Sequence, residues 1–225
     1  MKKLSLLILV STLVLNSKIN AQKFFEGELH YKIEYELINQ NIPIEILKKE
    51  MGNSFKAYIK EDKYIMIHNT YGDLGWTKSI TRLDEGYSYI EYQKSDTIYK
   101  YRLDVEENKL LEIKRISNKK KKVLKEMCEY VILDYESTDP NSFYKTKRGK
   151  YYFSPKYKLN PKKYKGHNEG FWNLYVKESG AISIRNESTY EGLFKSVSEV
   201  TKVINKEISN DLFKLDDSKI VKLVD

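Results

Sequence analysis

Residues 24–37, FFEGELHYKIEYEL, alternate almost without a slip. Phe25, Leu29, Tyr31, Ile33, Tyr35 and Leu37 fall on one side, with Gly27 among them. Glu26, Glu28, His30, Lys32, Glu34 and Glu36 fall on the other. A period of two makes this a β-strand with one buried and one wet face. At roughly 3.3 Å per residue the run would span about 45 Å, far beyond an ordinary strand of ~5–6 residues. A stripe of that length needs a wide sheet to lie in and something apolar to cover.

The next segment changes period. In NIPIEILKKEMGN (41–53), Ile44, Leu47 and Met51 stand at helical spacing, Pro43 suits a first turn and Gly52 a stop, so a short helix is predicted over 42–52. Strands resume at 54–70, as a pair turning near Glu61–Asp62, and continue at 75–83, 86–93, 97–105, 109–117 and from Tyr130 to 135. Turns arrive about every ten residues, the spacing of an antiparallel meander. NKKKK (118–122) reads as a solvated turn between strands, with contact to an anionic membrane surface as its other reading. Residues 136–150 and 158–170 read as loops around a short strand at 151–155, and 171–192 as a hairpin across KESGA. Residues 196–205 have both helical spacing and many β-branched side chains, and are assigned to a strand. NDLFKLDD (210–217) closes the core and the tail after it frays. One mainly β domain over 22–225 results, with about ten mostly antiparallel strands and one or two short helices.

Residues 1–21 stand apart from that domain. Lys2 and Lys3 precede the apolar run LSLLILVSTLVL, and SKINA offers Ala21 before a cut. This is the layout of a secretory signal peptide, with an apolar run too short to span a bilayer as a helix. The only cysteine is Cys128, so no lipoprotein anchor can follow the apolar run and no internal disulfide can form. Losing Lys2, Lys3 and Lys18 takes the formal charge from +8 to +5. The mean hydropathy of −0.62 and 32% charged residues leave no integral membrane segment in the mature chain. An exported, periplasmic or secreted, soluble protein is expected, with no nucleic-acid partner.

The search for chemistry returns little. His30, His68 and His167 lack a second ligand at metal spacing, no nucleophile elbow or phosphate loop is present, and Cys128 beside apolar neighbours reads as a small core residue. No catalytic, metal or cofactor residues are therefore assigned.

The order of pieces carries a resemblance: a leader ending in AQ, FEGELHYKIEYE, a short helix, a tyrosine-rich meander, FWNLYVKESGAISIRNES, and ISNDLFKLDDSKIVK at the close. KEMCEYVI (125–132) adds to it, with Glu126 where the pattern has glycine. The chain resembles exported β-sheet proteins of Bacteroidetes-type bacteria, similar in layout to the outer-membrane lipoprotein carrier fold. The resemblance implies a strongly curved antiparallel sheet, an unclosed barrel with helices across its opening. On that fold Leu29, Tyr31, Ile33 and Tyr35 line the concave face, opposed by Tyr99, Tyr101 and Leu103, with Trp76 and Trp172 filling part of it. Two functions remain open: a non-catalytic carrier of a lipid or other apolar ligand, and a cell-envelope protein-interaction module with a filled core. An unrecognised hydrolase is the third, least supported reading. N-terminal sequencing of the exported chain should begin at Gln22; a product that retains Met1 would overturn the signal-peptide reading.

Overall fold

The computed structural model describes residues 24–224, so the expected signal peptide lies outside the described residues. The alternating run becomes β1 (Gly27–Leu37). The predicted helix follows as α1 (Ile44–Met51), entered from Pro43 and stopped at Gly52, whose φ of 77° suits glycine. Five six-residue strands then form a meander: β2 (Ser54–Ile59), β3 (Lys63–His68), β4 (Thr77–Arg82), β5 (Tyr87–Tyr92) and β6 (Thr97–Arg102). Longer strands complete the sheet: β7 (Asn108–Val123), β8 (Glu126–Ser137), β9 (Thr146–Lys158), β10 (Ala181–Tyr190) and β11 (Phe194–Asn205), with α2 (Trp172–Ser179) between β9 and β10 and a short β12 (Ile220–Leu223) at the end.

All twelve strands, against about ten expected, lie in one sheet of order β12-β6-β5-β4-β3-β2-β1-β11-β10-β9-β8-β7. Every pairing is antiparallel except β12 on β6. The first strand therefore sits mid-sheet. It pairs with β11 along its whole length, from Gly27↔Asn205 to Leu37↔Phe194, across one bulge at His30/Tyr31. Gly27 is required there, because a Cβ would collide with the carbonyl oxygen of Ile204 on β11. His68 of β3 and Leu133 of β8 line one cavity, though six strand positions separate them. A flat sheet would hold them about 29 Å apart at ~4.8 Å per strand, so the sheet is strongly curled.

Three expectations are corrected. NKKKK is no turn: it continues β7, the outer edge strand, which runs to a tight turn at Leu124–Lys125 with Leu124 left-handed at φ 53°. Lysines on an edge discourage pairing with a further strand. KESGA is no hairpin: Trp172, Tyr175, Val176 and Ser179 stand at i, i+3, i+4 and i+7 on α2, and Gly180 at φ 61° is its C-terminal cap. The tail does not fray: Ile220–Leu223 pairs in parallel with β6, and Lys219 donates to the Tyr92 carbonyl at 2.8 Å. The supposed loop at 136–150 is also shorter, with strand on both sides of 138–145.

The sheet carries apolar layers on both faces. The main core, inside the curve, includes Leu29, Val131, Phe153, Ile184 and Val200. It is closed by residues 159–171, which cross from β9 to the far half of the sheet. Tyr164 stacks on Tyr64 at 6.3 Å, and the backbone amides of Asn168 and Glu169 donate to the Leu103 carbonyl at 2.7 and 3.1 Å. Outside the curve, Ile65, Ile80 and Ile98 are covered by Ile208 and Phe213 from the segment that joins β11 to β12. Arg82 fixes that segment by donating to the Phe213 carbonyl at 2.6 Å. Phe213→Ala, at a 3% exposed site, should cost about 3–5 kcal/mol. Ile220→Ser on the exposed β12 should cost under ~0.5 kcal/mol. Urea unfolding of both variants measures this, and equal losses would contradict the outer layer.

Candidate functional site

Strand pairing places a continuous row of side chains on the inner face. Tyr135, Lys147 and Tyr190 are cross-strand neighbours on β8, β9 and β10. Leu133, Gly149, Ser188, Ser196 and Tyr35 form the next row, and Asn186, Ser198 and Ile33 another. The middle of these rows is made of small residues. Ser188, Ser196 and Ser198 leave space where larger side chains would meet. At Gly149 a Cβ would strike the ring of Tyr151, which folds over the gap. The result is a cavity of about 290 Å³, at the lower end of the size of small-molecule sites.

The walls differ in character. Asn186, Ser188, Ser196 and Ser198 on β10 and β11 are polar; Ile33, Phe55, Met66, Leu133 and Trp172 are apolar. The apolar wall is rigid. Tyr31 and Phe55 stack at 4.2 Å and 8°, and Phe55 stacks in turn on His68 at 4.7 Å and 17°. The Tyr31 hydroxyl donates to the Ser183 carbonyl at 2.8 Å, and burial raises its pKa. Tyr35 donates to the Gly52 carbonyl at 2.7 Å, which ties the end of α1 to the cavity rim. Phe143, 62% exposed, and Tyr144 extend the rings outward, 5.6 and 5.3 Å from Tyr190.

One charge enters this space. The Lys147 ammonium lies 5.4 Å from the Tyr135 ring centre and 5.6 Å from that of Tyr190. No carboxylate pairs with it among the described residues. Burial works to lower its pKa, but Tyr151, Tyr190 and Tyr135 more than offset that, and it stays well above the ordinary lysine value. Lys147 is therefore a cation at neutral pH. Each ring contact is worth about 0.5–2 kcal/mol, against several kcal/mol for fully desolvating an ammonium. The two rings stabilise the charge without neutralising it. Among the described residues, no cavity serine hydrogen-bonds a histidine.

The residues expected to line the concave face divide into those the fold brings together and those it does not. Ile33, Tyr35 and Trp172 line the cavity; Tyr31 backs its stacked wall and Leu29 is packed core. Tyr99 and Tyr101 share the face in register but stand five strands from β1. Tyr99 packs on Tyr92 at 6.2 Å, while Tyr101 lines a separate recess with Arg102 and Glu106. Leu103 is buried beneath the 159–171 crossing rather than facing β1. Trp76 is on the opposite face, in an outer groove of about 840 Å³ with Tyr58, Ile67 and Leu212. Basic side chains in that groove meet carboxylates of the chain: His30 meets Glu28, Lys32 meets Glu34 and Lys78 meets Glu91, at 2.6, 2.9 and 3.4 Å. Cys128 is fully buried, and burial pushes its thiol up to about 11, so it is a packing residue. Lys147 escaped sequence reading in a supposed loop and Asn186, Ser188 and Tyr190 in a supposed hairpin; Tyr135, Ser196 and Ser198 fell in expected strands whose neighbours were not assigned.

With this geometry, comparison with known proteins gives the fold and little more. The structure is similar to that of an uncharacterised conserved protein from Thermus thermophilus, with a TM-score of 0.51 at 7% identity over 95% of this chain and 99% of that one. Two further neighbours score lower. One is a LolA superfamily protein from Nitrosomonas europaea, with a TM-score of 0.38 at 8% identity over 85% of this chain and 90% of that one. The other is a domain described as an outer membrane lipoprotein-sorting protein from Vibrio parahaemolyticus, with a TM-score of 0.34 at 10% identity over 83% of this chain and 89% of that one. The first likeness establishes the fold alone, and the other two score too low to establish a shared use. No protein-family model matches the chain, and no curated protein matches it in sequence.

The stacked His68 gives the site a pH signature. Burial lowers its pKa, with a hydrogen bond to the Met51 backbone opposing in part. The unfolded chain takes up this proton near pH ~6.5, whereas the native state resists it. Stability is thus full above that pH and falls as the pH drops below it, towards the native pKa. Urea midpoints at pH 7.5 and 5.5 should show the fall, and His68→Phe, which keeps the stack, should remove most of it. An unchanged slope in the variant would place the titrating group elsewhere.

Proposed function

We propose that the protein is a non-catalytic exported binding protein that holds one small apolar or amphipathic ligand, of lipid or acyl type, in the inner cavity. The observation that carries this reading is the run of Ser188, Ser196 and Ser198, which keeps space open in a face otherwise packed with rings. Packed interiors leave few such voids, and an empty one is destabilising. The apolar wall supplies area for a chain, and the serines supply partners for its polar atoms.

A second reading, an envelope protein-interaction module, is favoured by one observation. Much of the inner face is filled, by the rings of Tyr64, Tyr164, Trp172 and Tyr175, while Phe143 and Tyr71 are exposed, at 62% and 53%. Uptake of an environment-sensitive fluorescent fatty acid separates the two. The wild-type protein should bind the probe with an emission rise and a blue shift. Ser196→Phe, which fills the cavity, should abolish uptake while leaving the melting temperature unchanged or higher. A wild-type protein that takes up no probe would end the carrier reading in favour of the interaction module.

A further inference from the structure

The inner cavity has one group with no task in the fold. Lys147 projects from β9 between Tyr135 and Tyr190, within the cavity lining, and no carboxylate of the described residues meets it. Some lysines of the sheet are paired, as Lys121 with Glu187 at 2.6 Å, and others, as Lys100 and Lys150, lie over tyrosine rings on the outer strands or faces. Lys147 is the lysine that lines the inner cavity.

We infer that Lys147 is the head-group site of this cavity, and that the ligand is a single-chain amphiphile with a compact anionic head, a carboxylate or a phosphate. The inference rests on the cavity reading above and adds the ligand's charge to it. The chemistry follows from three features. A cation held between ring faces cannot donate all of its N–H bonds to the rings, so donors remain for an oxygen acceptor. An anion brought beside it forms a charge-assisted hydrogen bond, about twice as strong as one between neutral groups. The apolar wall of Ile33, Phe55, Met66 and Trp172 stands on the side of the cavity formed by β1–β3 and α2, and Lys147 on the side formed by β9. A short chain therefore lies across the curve with its head at β9 and its tail against the Phe55 stack. A cationic head would meet like charge, and a neutral one would leave Lys147 desolvated and unanswered.

The test is isothermal titration calorimetry of the protein with decanoate, decyl phosphate, decanol and decyltrimethylammonium at pH 7.5. The two anions should bind about ten- to a hundredfold more tightly than decanol, the gain expected of a hydrogen bond to a charged group. The quaternary cation should not bind. Comparison of decanoate with decyl phosphate identifies which anion the site suits. Lys147→Met should abolish the preference of decanoate over decanol and not lower the melting temperature. Lys147→Arg should retain most of the preference. If decanol binds as tightly as decanoate, or Lys147→Met keeps the preference, the head-group assignment is wrong while the cavity reading stands. If none of the four binds, both are wrong.

Discussion

The pairing of β1 with β11 holds the rest of the structure in place. Eleven register positions join these strands in the middle of the sheet. On one side of the joint is the meander β2–β6, on the other β10 back to β7. Without it there would be two smaller sheets, linked by the inner crossing at 159–171 and the outer cover at 206–216. Each ladder hydrogen bond contributes only about 0.5–1.5 kcal/mol net, so the joint also depends on burial. Leu29, Tyr31 and Val200 seal it on the inner face, each no more than 5% exposed. The alternation of β1 matters for that reason: a slip of one residue would turn the glutamates inward.

The inner crossing is the second constraint, and it sets the size of the cavity. His167, 2% exposed, sits among Tyr64, Tyr164 and Trp172 at 6.1, 6.2 and 6.5 Å. This ring cluster fills the curve where β3 approaches α2. The serines Ser188, Ser196 and Ser198 do not fill theirs. The cavity is therefore no leftover of poor packing: it begins where large aromatic side chains give way to small polar ones, along rows that four strands must align to create.

How much of this was legible depended on the range over which each feature is encoded. β1, α1 and the β2–β6 meander are set by local period and by Pro43, Gly52 and turn residues, and all were readable. α2 was readable in principle from Trp172, Tyr175, Val176 and Ser179, but the glycine that caps it also suits a hairpin. NKKKK looks like a turn because lysines favour water, and an outer edge strand offers water as freely as a loop does. The serine wall was not readable. Asn186 and Ser188 on β10 and Ser196 and Ser198 on β11 have the polarity of a solvent face. Alternation places them on the side of Ile184 and Val200, but only cross-strand register brings Asn186 beside Ser198 and Ser188 beside Ser196. Lys147 was hidden by the same cause, since nothing local distinguishes an inward lysine from the many outward ones.

The central joint also fixes the order in which the molecule can be finished. Gly27 meets Asn205, and Leu37 meets Phe194, so the partners of the first strand arrive near the end of the chain. A polypeptide delivered from its N-terminus, by a ribosome or through a pore, presents β1 early and must wait for β11. The β2–β6 meander can assemble in the interval, with β1 along its border and one side of β1 unpaired. That border is a hydrogen-bonding edge with an apolar stripe beside it, the kind of surface that recruits stray strands. Contacts so distant in sequence also make for slow closure. The architecture therefore couples completion of synthesis or passage to completion of the sheet: a chain cut short of β11 is left with an open seam at its centre, whatever its outer strands have achieved.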